Sequence, residues 1–253
     1  MEIIHKTYLG QHFLVNKETL EFLAKQVPKN QIVAEIGAGD GRLTELLAKN
    51  AKQLTAVEID KDRFGDLRKM EQKNRNLKVI FADFLTLNLS NLSNSKYLIG
   101  SLPYHIIEPL FMKIFNWPIK KAVFTLGARF YSKIEADYQN PNFGKLTLLV
   151  NTFYNWRVLK ELSKDNFFPQ PPTPAFIIEF SPKSRKEISA HQDSYLFKEL
   201  FLSSHRGTKV KNVVKLDNLQ LPESLLEKSF EQLNNQELGV LVSRLTSIKI
   251  SSS

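Results

Sequence analysis

A glycine-rich turn and three acidic residues are the groups whose types and spacing suggest chemistry. The segment Glu35–Gly41 reads Glu-Ile-Gly-Ala-Gly-Asp-Gly, between an apolar run and an amphipathic one. Glycines such as Gly37 and Gly39 let the backbone approach a ligand closely. Glu58 follows Gly37 by 21 residues, the interval at which a carboxylate accepts hydrogen bonds from ribose hydroxyls. Asp83 follows the next apolar run and could accept a hydrogen bond from an adenine amine. The pattern therefore predicts a site for an adenosine-bearing ligand.

Two ligand classes compete for such a site, dinucleotides and S-adenosylmethionine. The dinucleotide fingerprint requires a third glycine where this chain has Arg42. The charge of Glu35 also suits a cationic amino-acid group better than a phosphate. Both observations favour S-adenosylmethionine. A nicotinamide-dependent oxidoreductase is the less favoured alternative, and no constellation of residues suggests a hydride-transfer site.

Alternating apolar and amphipathic runs must position these groups. We predict strands at Ile32–Ile36, Leu54–Ile59, Leu77–Phe81, Tyr97–Gly100 and Ala122–Leu126. Helical spacing of apolar residues falls between them, at Thr19–Val27, Arg42–Lys49, Lys61–Gln72 and Ile106–Phe115. This alternation predicts an α/β fold with a doubly wound parallel sheet, which would bring the acids together at the carboxyl edge of the strands.

The pattern changes after Phe143. We predict strands without intervening helices at Leu146–Phe153, Trp156–Leu162 and Ala175–Phe180, forming an antiparallel edge to the sheet. Beyond Ser181 the apolar residues fall at helical intervals, at Tyr195–Phe201, Leu225–Leu233 and Leu238–Leu245. We therefore predict two domains, a sheet domain over 1–182 and a small helical domain over 183–253.

Composition narrows the function classes. The 253 residues carry a formal net charge of +9, which suits a polyanionic partner. The absence of cysteine excludes disulfides, thiolate metal sites and thiol nucleophiles. The histidines show no metal-ligand spacing, and no apolar run is long enough to span a membrane. We expect a metal-free cytoplasmic protein without a signal peptide or a membrane partner.

Four further segments together resemble a known family. Ser101-Leu102-Pro103-Tyr104 follows the fourth predicted strand, and Gly10-Gln11-His12-Phe13-Leu14 precedes the first helix. Phe167-Phe168-Pro169 precedes the last strand, and His205-Arg206-Gly207-Thr208-Lys209 lies in the C-terminal part. These segments are similar to motifs of the ribosomal RNA adenine dimethyltransferases, from about residue 10 to about residue 215.

The resemblance implies a Rossmann-like methyltransferase fold and roles for particular residues. Together with the glycine turn, it implies a cofactor site at His12, Leu14, Glu35, Gly37, Gly39, Glu58, Asp83 and Ser101. The motif Ser101, Leu102, Pro103 and Tyr104 would face the target adenine, with backbone carbonyls accepting its amine protons and Tyr104 stacking on the base. The implied activity is methyl transfer to exocyclic amines of adenosines in small-subunit ribosomal RNA during ribosome biogenesis.

Three departures leave a second hypothesis open. Ser101 and His12 each stand where the family has Asn. The segment 126–130 reads Leu-Gly-Ala-Arg-Phe where relatives have Leu-Gln-Lys-Glu and an apolar residue. A serine hydroxyl has a shorter reach than an amide carbonyl. The chain could therefore be an active dimethyltransferase, or a weakened or inactive relative that serves as an RNA-binding assembly factor.

Basic residues indicate where RNA would bind. We expect phosphate contacts from Arg129, Arg206, Lys209, Lys211 and Lys215. The expected partners are small-subunit ribosomal RNA and the immature small ribosomal subunit, bound by a monomer.

Overall fold

The computed structural model describes residues 12–92, 94–103, 106–114, 117–137, 139–190, 208–213 and 221–250. They form two compact units. The first comprises 1–130 and 156–182, and the second comprises 131–155 and 183–253. None of the described helices has the length and apolarity needed to span a membrane.

A seven-stranded mixed sheet forms the centre of the first unit. Its strands lie in the order β4 (Leu77–Phe81), β3 (Gln53–Glu58), β2 (Ile32–Ile36), β5 (Tyr97–Ser101), β6 (Lys121–Gly127), β9 (Ala175–Pro182) and β7 (Tyr154–Leu162). Its parallel part comprises β2 (Ile32–Ile36), β3 (Gln53–Glu58), β4 (Leu77–Phe81), β5 (Tyr97–Ser101) and β6 (Lys121–Gly127). These five strands match the predicted ones to within a residue at each end. The order reverses beside β2, and ligands of doubly wound sheets bind at such a switch point, at the carboxyl ends of the strands.

Crossover helices cover the sheet because each buries an apolar stripe. They are α1 (Lys17–Ala24), α2 (Arg42–Ala48), α3 (Phe64–Lys73) and α4 (Ile107–Ile114), and α5 (Ala128–Ile134) follows β6. Asn16 caps α1 by accepting a hydrogen bond from the Thr19 amide at 2.9 Å. Leu20 and Leu23 of α1 pack with strand residues such as Val33 in the hydrophobic core.

Two antiparallel arrangements complete the first unit. Strand β9 (Ala175–Pro182) pairs antiparallel with β6, and β7 (Tyr154–Leu162) lies outside it at the edge. The predicted antiparallel addition is therefore present, with the last strand inside the edge strand. A separate two-stranded ladder joins β1 (Phe13–Leu14) to β8 (Phe167–Phe168), with Phe13 opposite Phe168.

The strand predicted at Leu146–Phe153 is wrong, because the structure has a helix there, α6 (Lys145–Phe153). Nearly every side chain of this run is buried, so its apolar pattern has no period that distinguishes a helix from a strand. Hydrogen bonds that fix the helix include the Thr147 hydroxyl donating to the Lys133 carbonyl at 2.6 Å. The Asn151 amide also donates to the Ile134 carbonyl at 2.9 Å.

The second unit contains the segment 131–155 as well as the residues from 183 onward. The division into a sheet domain over 1–182 and a helical domain over 183–253 stays a prediction. Lys183 explains part of this grouping, since its amide donates to the Phe153 carbonyl at 2.8 Å and its ammonium to the Asn151 carbonyl at 2.6 Å.

The second unit is helical in its remaining described parts. It contains α7 (Arg185–Ala190), α8 (Val210–Val213), α9 (Glu223–Leu226) and α10 (Asn235–Ile250). The helix predicted over Leu225–Leu233 is shorter than expected, because Lys209 bridges to Ser229 and Ser229 begins a separate turn. The helix predicted at Tyr195–Phe201 lies outside the described residues.

Candidate active site

A cavity of about 180 Å³ lies at the carboxyl ends of the parallel strands. Its walls combine the glycine turn after β2, the residues that follow β3, β4 and β5, and the end of β6. Glu35, Glu58 and Asp83 all line it, as do Gly37 and Gly39. The predicted acids thus share one cavity because parallel strands place their carboxyl ends at one edge of the sheet.

The turn after β2 needs glycine for its backbone shape. Gly37 has φ of 75° and Gly39 has φ of 56°, a region that side chains rarely adopt. Gly39 is also crowded, since a Cβ there would lie 3.2 Å from the Phe13 ring. The amide of Gly37 donates to the Val57 carbonyl at 2.9 Å, which fixes the turn against β3. The turn therefore presents backbone to the cavity in a defined conformation.

Glu58 is held rigidly at the end of β3. Its Oε2 accepts a hydrogen bond from the Gly39 amide and its Oε1 from the Asp60 amide, both at 2.7 Å. Burial raises the pKa of this carboxyl, while the backbone hydrogen bonds oppose that rise. Each carboxylate oxygen can accept more than one hydrogen bond, so Glu58 can also receive hydroxyl donors from the cavity.

Glu35 is the most deeply buried acid of the site, with 1% of its surface exposed. Burial raises its pKa to about 8, helped by the neighbouring carboxylates of Glu58 and Asp40 and opposed by the Thr44 hydroxyl. Its Oε2 has no hydrogen-bond partner among the residues that the structure describes. A buried, unpartnered carboxyl oxygen beside a cavity is a site for a cationic or hydrogen-bond-donating ligand group.

Asp83 follows β4 and is half-buried. Its Oδ1 accepts a hydrogen bond from the Leu85 amide at 2.8 Å, the turn-capping arrangement common for aspartate. Two apolar neighbours also line the cavity, Ile59 with 53% of its surface exposed and Phe84 with 4%. Neither was predicted from the sequence, although each directly follows a predicted site acid. They add apolar surface to the cavity lining.

Ser101, Leu102 and Pro103 line the cavity after β5. Ser101 is opposite Thr125 of β6, and the Leu102 amide donates to the Thr125 carbonyl at 3.1 Å. Tyr104, the last residue of this motif, lies outside the described residues. The structure therefore brings three of the four motif residues to the cavity.

Thr125 is a third cavity residue that was not predicted from the sequence. It lines the cavity with 2% of its surface exposed, and its hydroxyl has no hydrogen-bond partner in the described part of the chain. Only the register between β5 and β6, which the sequence does not state, places it beside Ser101.

The remaining wall of the cavity combines residues near the beginning of the sequence with one from the segment before the last strand. His12 and Leu14 line the cavity, together with Phe167 from the segment before the last strand. The β1–β8 ladder joins these segments, and His12 Nδ1 lies 2.8 Å from the Pro169 carbonyl oxygen. All the predicted cofactor residues therefore lie around one cavity.

The predicted RNA-contacting residues are placed less uniformly. Arg129 is exposed on α5. Lys209 and Lys211 both pair with Glu227, Lys209 at 2.5 Å. These lysines lower the pKa of Glu227 to about 2. Their charges therefore face a carboxylate in this structure. Arg206 and Lys215 lie outside the described residues.

The family model that matches this sequence and two of its relatives carry the names of ribosomal RNA methyltransferases or dimethylases. The family model "Ribosomal RNA adenine dimethylase" matches residues 4–249. The chain is 28% identical to the "Probable ribosomal RNA small subunit methyltransferase A" of Methanopyrus kandleri, covering 94% of this chain and 91% of that protein. It is 31% identical to the "Ribosomal RNA small subunit methyltransferase A" of Mycoplasma mobile, covering 89% of this chain and 91% of the relative.

Two solved structures share the fold. A dimethyladenosine transferase from Plasmodium falciparum superposes with a TM-score of 0.63 at 21% identity, covering 92% of this chain and 97% of that one. The 23S rRNA methyltransferase ErmE superposes with a TM-score of 0.61 at 21% identity, covering 92% and 99%. The extent of the family match, over nearly the whole sequence, means that this chain belongs to the ribosomal RNA adenine dimethylase family.

Proposed function

We propose that this protein transfers methyl groups from S-adenosylmethionine to the exocyclic amines of adenosines in small-subunit ribosomal RNA. The family and the names of the relatives support this proposal. The observation that carries it is the convergence of Glu35, Glu58 and Asp83 on one cavity around a glycine turn. Three carboxyl groups at that edge suit a ligand with hydroxyls, an amine and a cationic end.

The donor set fits this cofactor group by group. Glu58 is fixed by two backbone amides and can accept hydrogen bonds from ribose hydroxyls. Ile59 and Phe84 supply apolar lining that suits an adenine ring, and Asp83 can accept a hydrogen bond from its amine. The unpartnered Oε2 of Glu35 can pair with an ammonium group.

The order of the strands suggests where the acceptor base would lie. Glu58 and Asp83 follow β3 and β4, whereas Ser101 and Thr125 belong to β5 and β6 on the other side of β2. A cofactor with its nucleoside end over β3 and β4 would direct its amino-acid end towards β2. The target adenine would then occupy the space beside Ser101 and Thr125.

S-adenosylmethionine supplies, when bound, a methyl group already activated on a sulfonium. The protein's task is to hold the adenine amine in line with that methyl. Acceptors at Ser101 and Leu102 can bind the amine protons and localise the nitrogen lone pair. Pro103 restricts the turn that carries these acceptors. No side chain has to act as a strong base in this arrangement.

The weakened or inactive relative is the second candidate, and the Ser101 difference is the reason for testing it. Losing one well-placed hydrogen-bonding group costs roughly 3 kcal/mol of barrier, or about a hundred-fold in rate, by analogy with oxyanion-hole donors. Under this alternative the protein would bind RNA, with or without the cofactor, and serve in subunit assembly.

Calorimetric titration with S-adenosylmethionine, followed by a methyl-incorporation assay on immature small ribosomal subunits, separates the candidates. Binding with incorporation supports the dimethyltransferase. Binding without incorporation supports the assembly factor, whereas failure to bind the cofactor contradicts the dimethyltransferase. Mass spectrometry of the product RNA identifies the modified adenosine and counts its methyl groups.

Ser101→Asn tests the role of position 101 within this scheme. We expect the substitution to raise turnover because the amide carbonyl reaches further than the hydroxyl. The conservative control Ser101→Ala removes the hydroxyl without adding an acceptor and should not raise turnover. Equal turnover in all three proteins would contradict the role assigned to this side chain.

We also propose that the protein acts as a monomer in the cytoplasm, on the immature subunit. The net charge of +9 supports a large RNA partner. Sedimentation of the purified protein, alone and with small subunits, tests both the monomer and the partner.

A further inference from the structure

The edge of the sheet opposite the cavity carries an unusual set of loops. Five segments precede the five parallel strands there: 28–31, 49–53, 73–76, 94–96 and 117–120. They contain lysine, arginine, asparagine and glutamine but no aspartate or glutamate. We call these five segments the amino rim.

Backbone hydrogen bonds join the segments of the amino rim to one another. The Lys52 amide donates to the Gln31 carbonyl at 2.9 Å, and the Leu54 amide to the Asn76 carbonyl at 2.8 Å. The Lys120 amide donates to the Lys96 carbonyl at 2.7 Å. The Lys96 amide also donates to the carbonyl of Ile32, the first residue of β2, at 3.3 Å, so hydrogen bonds hold all five segments along one edge.

Side-chain bonds add to this rigidity. The Asn76 amide nitrogen donates to the carbonyls of Ala48 and Ala51, both at 2.8 Å. A further backbone bond runs from the Asn30 N–H to the Asn50 carbonyl at 2.8 Å. A surface held in this way loses little conformational freedom when it binds a partner.

Each segment of the rim carries one cation next to its strand, and two of the segments carry a second one farther from the strand, Lys49 and Lys73. In the spatial order of the strands the cations next to the strands are Arg75, Lys52, Lys29, Lys96 and Lys120. All are exposed except Lys96, which is half-buried. None of the five has an ion-pair partner among the residues described by the structure. Five uncompensated positive charges thus follow one another along one edge.

Two other basic residues at this edge do pair with acids. Lys49, within the rim, forms an ion pair with Glu45 at 3.2 Å, and Lys121, the first residue of β6, pairs with Glu179 at 2.6 Å. The five cations next to the strands lack such partners in the described part of the chain and keep their charge available. Strands lie about 4.8 Å apart, so five adjacent strand starts span roughly 19 Å. A row of this length can contact several consecutive phosphates of a nucleic acid.

We propose that the amino rim binds the phosphate backbone of ribosomal RNA, as a second contact surface on the edge opposite the methyl-transfer cavity. This inference rests on the proposed function, which gives the protein an RNA partner. RNA fits better than a membrane surface because none of the exposed large apolar residues of the described chain lies in the rim. A row of cations with amide donors instead suits phosphate oxygens.

The two contact surfaces would divide the work of recognition. The cavity accepts one adenine, whereas the rim holds RNA that lies on the other side of the sheet. Phosphate contacts carry little sequence information. The rim would therefore supply affinity and orientation for a large folded RNA and leave the choice of base to the cavity.

Matched charge variants test the proposal in the full-length protein. The rim variant combines Lys29→Gln, Lys52→Gln and Arg75→Gln. The control combines Lys17→Gln, Lys69→Gln and Lys164→Gln, which are exposed residues outside the rim and the cavity lining. Both variants lose three positive charges. The measurement is the affinity for transcribed small-subunit ribosomal RNA from the same host over a range of salt concentrations.

Each phosphate contact contributes about 0.7 to 0.9 to the slope of log affinity against log salt concentration. We expect the rim variant to flatten that slope by about 2 and the control by less than about 1. Equal slopes for the two variants would overturn the proposal. Cofactor titration should be the same for wild type and rim variant, because the rim lies away from the cavity.

The cysteine-free sequence allows a second, independent measurement. A single cysteine introduced by Lys52→Cys can carry an iron chelate that cleaves nearby RNA by hydroxyl radicals. We expect the chelate at position 52 to cleave small-subunit RNA. A chelate on Lys61→Cys, at a residue that follows β3, should cleave the RNA at different positions. Cleavage from position 61 without cleavage from position 52 would overturn the proposal.

The outcomes distinguish this inference from the proposed function. If the rim and control variants have equal salt slopes but methyl incorporation is normal, only the rim proposal is refuted. If RNA binding and cleavage depend on the rim but no methyl group is incorporated, the rim proposal is supported and the proposed activity is refuted. Circular dichroism and the cofactor titration establish that each variant is folded.

Discussion

Replacing Glu35 by glutamine should stabilise the protein while weakening cofactor binding. The side chain is 1% exposed, and burial raises its pKa from 4.5 to about 8. At neutral pH the folded protein therefore holds this carboxyl mostly protonated, whereas the unfolded chain ionises it. Glutamine has a similar shape and no charge, so the variant avoids this difference between the two states.

The magnitude follows from linkage between protonation and folding. Each pH unit above the ordinary pKa costs about 1.36 kcal/mol when a carboxyl must stay protonated. With a pKa of 4.5 in the unfolded chain, ionisation of Glu35 in that state lowers the free energy of unfolding of the wild-type protein by about 3 kcal/mol at pH 7. The loss grows to about 5 kcal/mol at and above pH 8, where the folded carboxyl ionises.

The sign of the pH dependence is definite. Below pH 4.5 the carboxyl is protonated in both states and contributes no dependence on pH. Between pH 4.5 and about 8 the folded state binds more protons than the unfolded state, so wild-type stability falls as pH rises. The advantage of Glu35→Gln should therefore be small at pH 4.5, increase through neutrality and level off above pH 8.

Urea unfolding of both proteins at a series of pH values measures this difference. Glu45→Gln is the matched control, because it makes the same chemical change on a side chain that is 61% exposed. The control should change the free energy of unfolding by less than about 1 kcal/mol. A Glu35→Gln advantage that does not vary with pH would refute the assigned ionisation of Glu35.

Cofactor binding gives the complementary measurement. An ammonium group pairs with ionised Glu35, so binding to the wild-type protein at pH 7 should release a proton. Calorimetric titration in buffers of different ionisation enthalpy counts that proton. We expect the release to be absent in Glu35→Gln and the affinity to be lower.

Three further changes test other parts of the site. Thr125→Val should raise the free energy of unfolding by about 1 kcal/mol, because it removes a buried unpartnered hydroxyl; a decrease measured by urea unfolding would show that the hydroxyl is satisfied. Gly39→Ala should lower the free energy of unfolding by about 1 to 2 kcal/mol and weaken cofactor binding, because φ is 56° and the added methyl would contact the Phe13 ring. An unchanged melting temperature and cofactor affinity would argue against this turn geometry. Glu227→Gln should tighten RNA binding by on the order of five-fold at low salt, because it frees the two lysines paired with it; unchanged affinity in a filter-binding assay would remove these lysines from the RNA surface.

The parallel strands could be predicted from the sequence because each is a short apolar run between polar loops. Ile32–Ile36 and Leu77–Phe81 have the predicted bounds in the structure. The acids that end or follow such runs must meet at one edge, so the shared location of Glu35, Glu58 and Asp83 followed from strand direction alone. Local pattern was sufficient for this part of the site.

Other features depend on information that local pattern does not contain. Leu146–Phe153 forms a helix because it is buried on nearly all sides, which removes the periodicity that identifies a helix. Thr125 reaches the cavity through the register of β5 with β6, which no local signal specifies. The amino rim was missed because its cations are scattered singly over five loops, where each resembles an ordinary surface lysine or arginine.

The β1–β8 ladder makes the cavity dependent on the most distant parts of the sheet domain. His12 meets Pro169 across 157 positions of the chain, and loop closure over such a separation is slow compared with local helix formation. During synthesis the five parallel strands can associate before Phe167 has left the ribosome, but this wall cannot. The cavity is therefore complete only after the segment with Phe167 has been synthesised and has paired with β1. Ligand binding by a nascent chain would then indicate that this part of the fold has formed.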